Sequence, residues 1–488
     1  MTMILPPNHP LRQKRRPKGP STCGKFGREI LDRLPLVDAA LTLFGYAVPP
    51  TLLDELFDQH RGRCYQASVT FPGLVRWLFD ALVEHQGSGR QAHLQRKRTK
   101  GDPCNEAFYG KLRRIPLALS QAFLHGVTNR FLPIRPSTVA HAIPSSLKDL
   151  EVVILDGKSL KKVAKRLVET RGTPGKLLGG KLLVAYQPRE GLIIDMVADL
   201  DGETNEAKLV PDLMPRLHAR PGPAKLVVAD RLFCALKHFH AFTQDNGHFV
   251  TRYARRLSFE ADPARPPVRT TDATGRVLVE QWGWAGKASE KLRRYVRWIG
   301  VERPGQETIT VLTDLLDAAV YPAQDVLDLY RIRWSIEDSF QKVTKIFALG
   351  RFIGSTAEAT TFQASMCFVL ANLTQILQGF AVAKRAEALA DVSTHQFAKD
   401  WHRQLVALKE LVDVGTIVSL IPTQLTADRV VELLEDLMSE VWKPGWTKTR
   451  NKKPRPHRHT AKKKGAHTSV QRRRNAAKAT SGPNPRCA

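Results

Sequence analysis

Three carboxylates in this chain are placed so that together they suit phosphodiester chemistry. Glu337 lies in the stretch YRIRWSIEDSFQKVTK (330–345), and two apolar runs upstream each end in an aspartate, EVVILDG at Asp156 and KLVVADR at Asp230. Tyr330 to Arg333 is an i,i+3 step and Arg333 to Glu337 an i,i+4 step, so on one helix the three side chains share a face. Ile332, Ile336, Phe340 and Val343 supply a neighbouring apolar stripe. An Arg–Glu pair at this spacing also stabilises an ordinary exposed helix, by roughly 0.3–0.5 kcal/mol, so the helix alone proves nothing. The two upstream aspartates are what point to a shared site. Two Asp and one Glu, without Cys or His, are hard oxygen ligands that favour Mg²⁺ or Mn²⁺ over zinc. Two such ions roughly 3.5–4 Å apart stabilise both ends of an in-line displacement at phosphorus.

The elements that must position these acids follow from the apolar pattern. LEVVILDG, KLLVAYQ and GLIIDMVADL read as short strands, NEAKLVPDLMPRLHA as a helix, AKLVVADRLF as a strand, ALKHFHAFTQDNG as a helix and HFVTRYARR as a strand. The order βββαβαβ is that of an α/β, ribonuclease-H-like core, a mixed sheet flanked by helices. In it the first and fourth strands are neighbours, so Asp156 and Asp230 are expected to meet at one edge of the sheet. The stretch between Asp230 and Glu337 is too long for one short connection, and its Val-, Trp-, Tyr- and Thr-rich runs predict an inserted β-rich subdomain.

The reading divides the chain into a basic flexible arm (1–28), a helical DNA-binding domain (29–145) and the first part of the core (146–256). There follow the β-rich insertion (257–313), the final part of the core with the Glu337 helix (314–354), a C-terminal helical region (355–442) and a disordered basic tail (443–488). In the helical domain a basic loop (Arg96, Lys97, Arg98, Lys100) precedes a short helix. There Asn105 is placed to meet base edges, and Lys111, Arg113 and Arg114 to meet phosphates. The same pattern also describes an ordinary exposed basic helix. Trp282, Trp284 and Trp298 in the insertion suit β-core packing better than stacking on an unpaired base.

Charge indicates the partner. Lys and Arg number 75 against 47 Asp and Glu, a net charge of +28, beyond what solubility needs and suited to a phosphate-rich partner, double-stranded DNA. From Lys443 onward there are 15 Lys or Arg and no acid. The N-terminal stretch lacks the apolar core of a signal peptide, and six cysteines without a C-x-x-C pair fit a reducing cytosol. The expected setting is therefore the cytoplasm. The run ASMCFVLANLTQILQGFAVA carries Asn372, Gln375 and Gln378, which a protein interior satisfies better than lipid, so no membrane is expected as a partner. No G-x-x-x-x-G-K-[ST] loop is present to support ATP hydrolysis.

Over about residues 70–385 the chain resembles the DDE transposases of the bacterial insertion-sequence-four family, cut-and-paste enzymes whose third acid lies in a Tyr-x2-Arg-x3-Glu-x6-Lys signature. The tyrosine, arginine and glutamate fall on Tyr330, Arg333 and Glu337, and LDG and ADR match the surroundings of the two aspartates. The resemblance implies catalytic, metal-holding Asp156, Asp230 and Glu337. It also implies DNA contacts by Tyr330, Arg333 and Arg252, two copies of the chain in the DNA complex, a bacterial, nucleoid-associated setting, and hydrolysis, hairpin formation and strand transfer as the reaction. One position departs: the signature lysine is Thr344, with Lys342 and Lys345 beside it but out of register, and these two are expected to contact the DNA phosphate in its place. Two other readings keep the same core. A structure-specific nuclease would cut without joining ends, and an inactive DNA-binding derivative would keep the fold alone.

Overall fold

The computed structural model describes residues 22–95, 102–272, 275–302, 309–347, 349–422, 424–448 and 467–480. Most of the expected N-terminal arm, the basic loop at 96–101 and much of the tail lie outside these residues. Prolines and caps cut the N-terminal part into helices. They are α1 (Thr22–Asp32), α2 (Pro35–Ala47), α3 (Pro50–His60), α4 (Phe71–Val83), α5 (Gly89–Leu94), α6 (Asn105–Leu112) and α7 (Leu117–Phe131). Proline opens α2, α3 and α4, where its missing N–H costs nothing. Thr70 and Ser88 cap α4 and α5 by accepting from the N–H groups of Gly73 and Gln91.

The core strands and helices follow as β1 (Glu151–Val163), β2 (Lys176–Gln187), β3 (Leu192–Asp199), α8 (Val210–His218), β4 (Lys225–Ala229), α9 (Leu236–Phe242) and β5 (His248–Arg252). Their order across the sheet is β3-β2-β1-β4-β5, antiparallel from β3 to β1 and parallel from β1 to β5. This is the ribonuclease-H-like arrangement expected from the sequence. Period-2 alternation gives the sheet two apolar faces. Val152, Ile154, Val184, Leu226 and Val228 point into one cluster, while Val153, Leu155, Leu183, Val227 and Phe249 point into the other, against α8 and α9.

Beyond β5 come β6 (Phe259–Ala261), β7 (Val268–Thr271), β8 (Val277–Ala285), β9 (Arg294–Val301) and β10 (Ile309–Thr313). The inserted strands extend the core sheet: β10 lies antiparallel between β5 and β9, and β9 pairs with β8. Arg297 on β9 is fully buried, paired with Glu280 of β8 and donating to the carbonyl of Tyr321 at 2.5 Å. Trp282 is buried under the Arg265 guanidinium and donates to the Leu316 carbonyl, and Trp298 is partly buried in the second cluster. Trp284 is 39% exposed, with Arg293 over its ring.

The chain then forms α10 (Ala323–Ile332), α11 (Trp334–Ile346), α12 (Ala357–Val382), α13 (Thr394–Leu411), α14 (Val414–Leu420) and α15 (Ala427–Met438), followed by β11 (His467–Ser469) and α16 (Val470–Thr480). Among the described residues α12 is the one helix that alone is long and apolar enough to cross a membrane, and it is a core helix, buried on nearly every side. Its Asn372 is satisfied there: it accepts from the Ile193 N–H at 3.0 Å and donates to the Ile193 carbonyl at 2.8 Å.

The tail corrects the expectation of disorder from 443 onward. β11 adds parallel to β2 at Lys176–Leu178, Val470 is fully buried, and Arg472 pairs with Asp201 and Glu203, both at 2.7 Å. Composition missed this because the stretch has almost no apolar residues of its own. Its order comes from backbone pairing to an open strand lip and from carboxylates on the core.

Candidate active site

The last register pair between the parallel strands β1 and β4 is Leu155 with Ala229. Asp156 and Asp230 are the next residues on each, so they stand side by side on strands separated by about 4.8 Å. Gly157 follows Asp156 where a Cβ would meet the Glu206 side chain at 2.4 Å, so a larger residue there would collide. The Asp156 carboxylate accepts the Gly157 N–H at 2.8 Å, and that of Asp230 accepts the Leu232 N–H at 2.7 Å, capping the turn after β4. Glu337, in the first turn of α11, completes the set. Its carboxylate is paired with Arg333 at 2.8 Å.

The three acids feel one another. Burial pushes the Asp156 carboxyl up to about 6, and the charges of Asp230 and Glu337 push the same way. The Gly157 N–H and the Arg333 guanidinium oppose this. Arg333 sits at the junction of α10 and α11, only 7% exposed, between the rings of Tyr330 (5.7 Å) and Trp334 (5.2 Å). Its Nε is buried with no hydrogen-bond partner among the described residues. Tyr330 is buried beside it, in the field of Arg252 from the end of β5.

Hard oxygen donors for a divalent cation are therefore present, and the mutual repulsion at Asp156 is what a cation would relieve. The arrangement is not closed around an ion: among the described residues no three Asp, Glu, His or Cys groups stand at metal-holding distances, and Glu337 is turned to Arg333.

The other residues singled out from sequence are distributed unevenly. Lys345 is exposed on α11. Lys342 is a correction. Five residues past Glu337 it is rotated by about 140° around the helix, and it lines a pocket with Tyr186 and Asn372, away from the acids. Lys111 is a second correction, being 2% exposed, with its ammonium donating to the Tyr65 carbonyl at 2.6 Å over the Phe57 ring. It holds the helical region together and cannot reach DNA as placed. Arg113 and Arg114 are exposed.

Asn105, whose buried Oδ1 has no hydrogen-bond partner among the described residues, lines a cleft of about 1090 Å³ together with Arg90, Lys162, Arg166 and Arg351. β1 itself joins this cleft to the acids, since it carries Asp156 and Lys162 on one strand. A second cleft of about 960 Å³, around Asp195, Arg216 and His125, lines the other end of β1 at Glu151.

Two residues beside the acids were not singled out from the sequence. Trp334 is 62% exposed next to Arg333, and Lys158 of β1 reaches Thr344 of α11 at 3.3 Å. The signal for Lys158 was available, because residues i and i+2 of a strand share a face and Lys158 follows Asp156 by two.

Residues 147–373 match the family model of the transposase DDE domain. A Sinorhizobium fredii protein provisionally named transposase y4zB is 23% identical over 206 residues, 41% of this chain and 54% of that protein, so the chain spans about half the length of this curated relative. Among solved structures, the piggyBac transposase synaptic complex with hairpin DNA aligns with 84% of this chain and 86% of that one, at 12% identity and a TM-score of 0.37.

Proposed function

We propose that this chain, whose residues 147–373 match the transposase DDE domain, is a DNA transposase that excises and integrates an insertion sequence through Asp156, Asp230 and Glu337. The observation that carries the reading is the convergence of carboxylates from β1, β4 and α11, with the charges of Asp230 and Glu337 acting on a buried Asp156. Asp156, Asp230 and Glu337 would hold Mg²⁺ or Mn²⁺, which would supply charge stabilisation for the attacking and leaving oxygens.

The chain's own residues then have separable tasks. Arg333 presents a buried guanidinium with an unpartnered Nε, suited to a bidentate phosphate grip, and Arg252 and Tyr330 back it from β5 and α10. Arg90, Lys162, Arg166 and Arg351 line a cleft where the duplex beyond the cut would run, with Asn105 at its wall. Water attacks phosphorus at the element's end, the bond to the 3′ oxygen breaks, and that oxygen leaves as a hydroxyl. The freed 3′-hydroxyl later attacks a phosphodiester of the target, transferring the end. Two copies of the chain, one at each end, complete the reaction.

The test is cleavage of a plasmid carrying the DNA that flanks the gene, with Mg²⁺, by the wild type and by Asp156→Ala, Asp230→Ala and Glu337→Gln. Each variant is expected to bind that DNA but not cut it. Unchanged cleavage by any one of them removes that residue from the triad. Cutting of branched DNA irrespective of end sequence, with no joined product, makes the protein a nuclease instead.

A further inference from the structure

We infer that Lys158 is a phosphate-gripping cation of this site, delivered from the strand because α11 carries a neutral residue where a cation would face the acids. The inference rests on the transposase reading above. Seven residues past Glu337 a helix returns to nearly the same face, and that position is Thr344. The Thr344 hydroxyl donates to the Phe340 carbonyl at 2.7 Å, which leaves its lone pairs free to accept the Lys158 ammonium at 3.3 Å. Lys158 also lies over the Phe340 ring at 5.0 Å. Two contacts from α11, a hydroxyl and an aromatic face, thus fix where the ammonium stands.

Its anchor on the other side is the strand. Lys158 follows Asp156 on the same face of β1, about 6.6 Å further along. No carboxylate closes an ion pair with it among the described residues, whereas Arg333, the guanidinium beside the acids, is already paired with Glu337. A half-buried ammonium held off its acidic neighbours by a hydroxyl and a ring is stabilised once an anion arrives. The anion that fits is a backbone phosphate of DNA, adjacent to the one presented to the acids. Lys158 grips and positions; it does not carry protons in the reaction.

The experiment relocates the charge. DNA binding is measured by anisotropy over a range of KCl on a cleavage-dead Asp230→Ala background, with a short duplex of the gene's flanking DNA, and cleavage is measured without that background. Lys158→Ala should flatten the slope of log K against log[salt] by about 0.9, one phosphate contact, and lower cleavage by roughly tenfold to a hundredfold. Lys158→Ala combined with Thr344→Lys should restore the slope and most of the cleavage, since a lysine on α11 then faces the same point. Lys158→Met, which keeps the packing on Phe340, replaces Lys158→Ala if the latter melts early. An unchanged slope with unchanged cleavage overturns the inference. So does a lowered melting temperature with the slope intact, which makes Lys158 structural. If Asp230→Ala itself still cuts, the transposase triad fails separately, and the slope still reads the Lys158 contact.

Discussion

Asp156→Asn should make the metal-free protein more stable while destroying its activity. The buried Asp156 carboxyl is pushed from 3.8 up to about 6, so its ionised form is disfavoured in the folded state. A raised acid binds more protons folded than unfolded. The penalty is therefore absent below about pH 3.8, grows as pH rises through about 6 and is complete above it. The shift corresponds to about 3 kcal/mol at ~1.36 kcal/mol per pH unit. For a chain of this length melting as one unit, with about 2.1 cal/mol/K of unfolding entropy per residue, that is a rise of about 3 °C. Asn keeps an oxygen to accept the Gly157 N–H, so the change removes charge and little else. Melting at pH 8 in EDTA should show the rise, and melting near pH 4 should not. Added Mg²⁺ should raise the wild type toward the variant and leave the variant where it is. If Asp156→Asn melts at or below the wild type at pH 8 in EDTA, burial and the neighbouring acids do not disfavour the ionised Asp156 as argued.

Other consequences can be checked with the same instruments. Glu280→Ala strands the fully buried Arg297 without its partner and should cost about 3–5 kcal/mol, read from denaturant unfolding. Deleting the chain from His467 removes β11 and the buried Val470, worth about 1.5–3 kcal/mol for the side chain alone, and should lower the melting temperature and increase aggregation. Lys111→Met should lower stability and leave DNA affinity unchanged. Arg113→Ala or Arg114→Ala should do the reverse, weakening binding at low salt with little effect on melting.

The core was readable because its signals are local and doubled. An apolar run such as VVIL, buried on both faces and bounded by polar residues, has few alternatives to a central strand, and the order of such runs restricts the sheet. The burial of α12 was also readable, since a helix carrying Asn372 needs partners that a packed interior supplies, here the backbone of Ile193. What failed were readings that used charge as a proxy for exposure. Lys111 looks like a surface cation, yet its ammonium stands over the Phe57 ring and donates to the Tyr65 carbonyl, an arrangement no local pattern announces. Lys342 is near Glu337 in sequence, but 100° per residue turns it elsewhere. The tail was misread because β11 depends on a strand nearly three hundred residues earlier, and non-local pairing leaves no periodicity behind. Lys158 was overlooked for the converse reason: its partner Thr344 was treated only as an absence.

The late pairing of β11 with β2 also orders events during synthesis. The lip of β2 at Lys176–Leu178 is made early, whereas the strand that covers it, His467–Ser469, leaves the ribosome nearly three hundred residues later. At translation rates of about 5–20 residues per second, that lip waits for roughly 15–60 s with unpaired backbone groups. A nascent chain on a crowded polysome is therefore most vulnerable to sticking to its neighbours after its core strands have formed and before His467–Ser469 emerge.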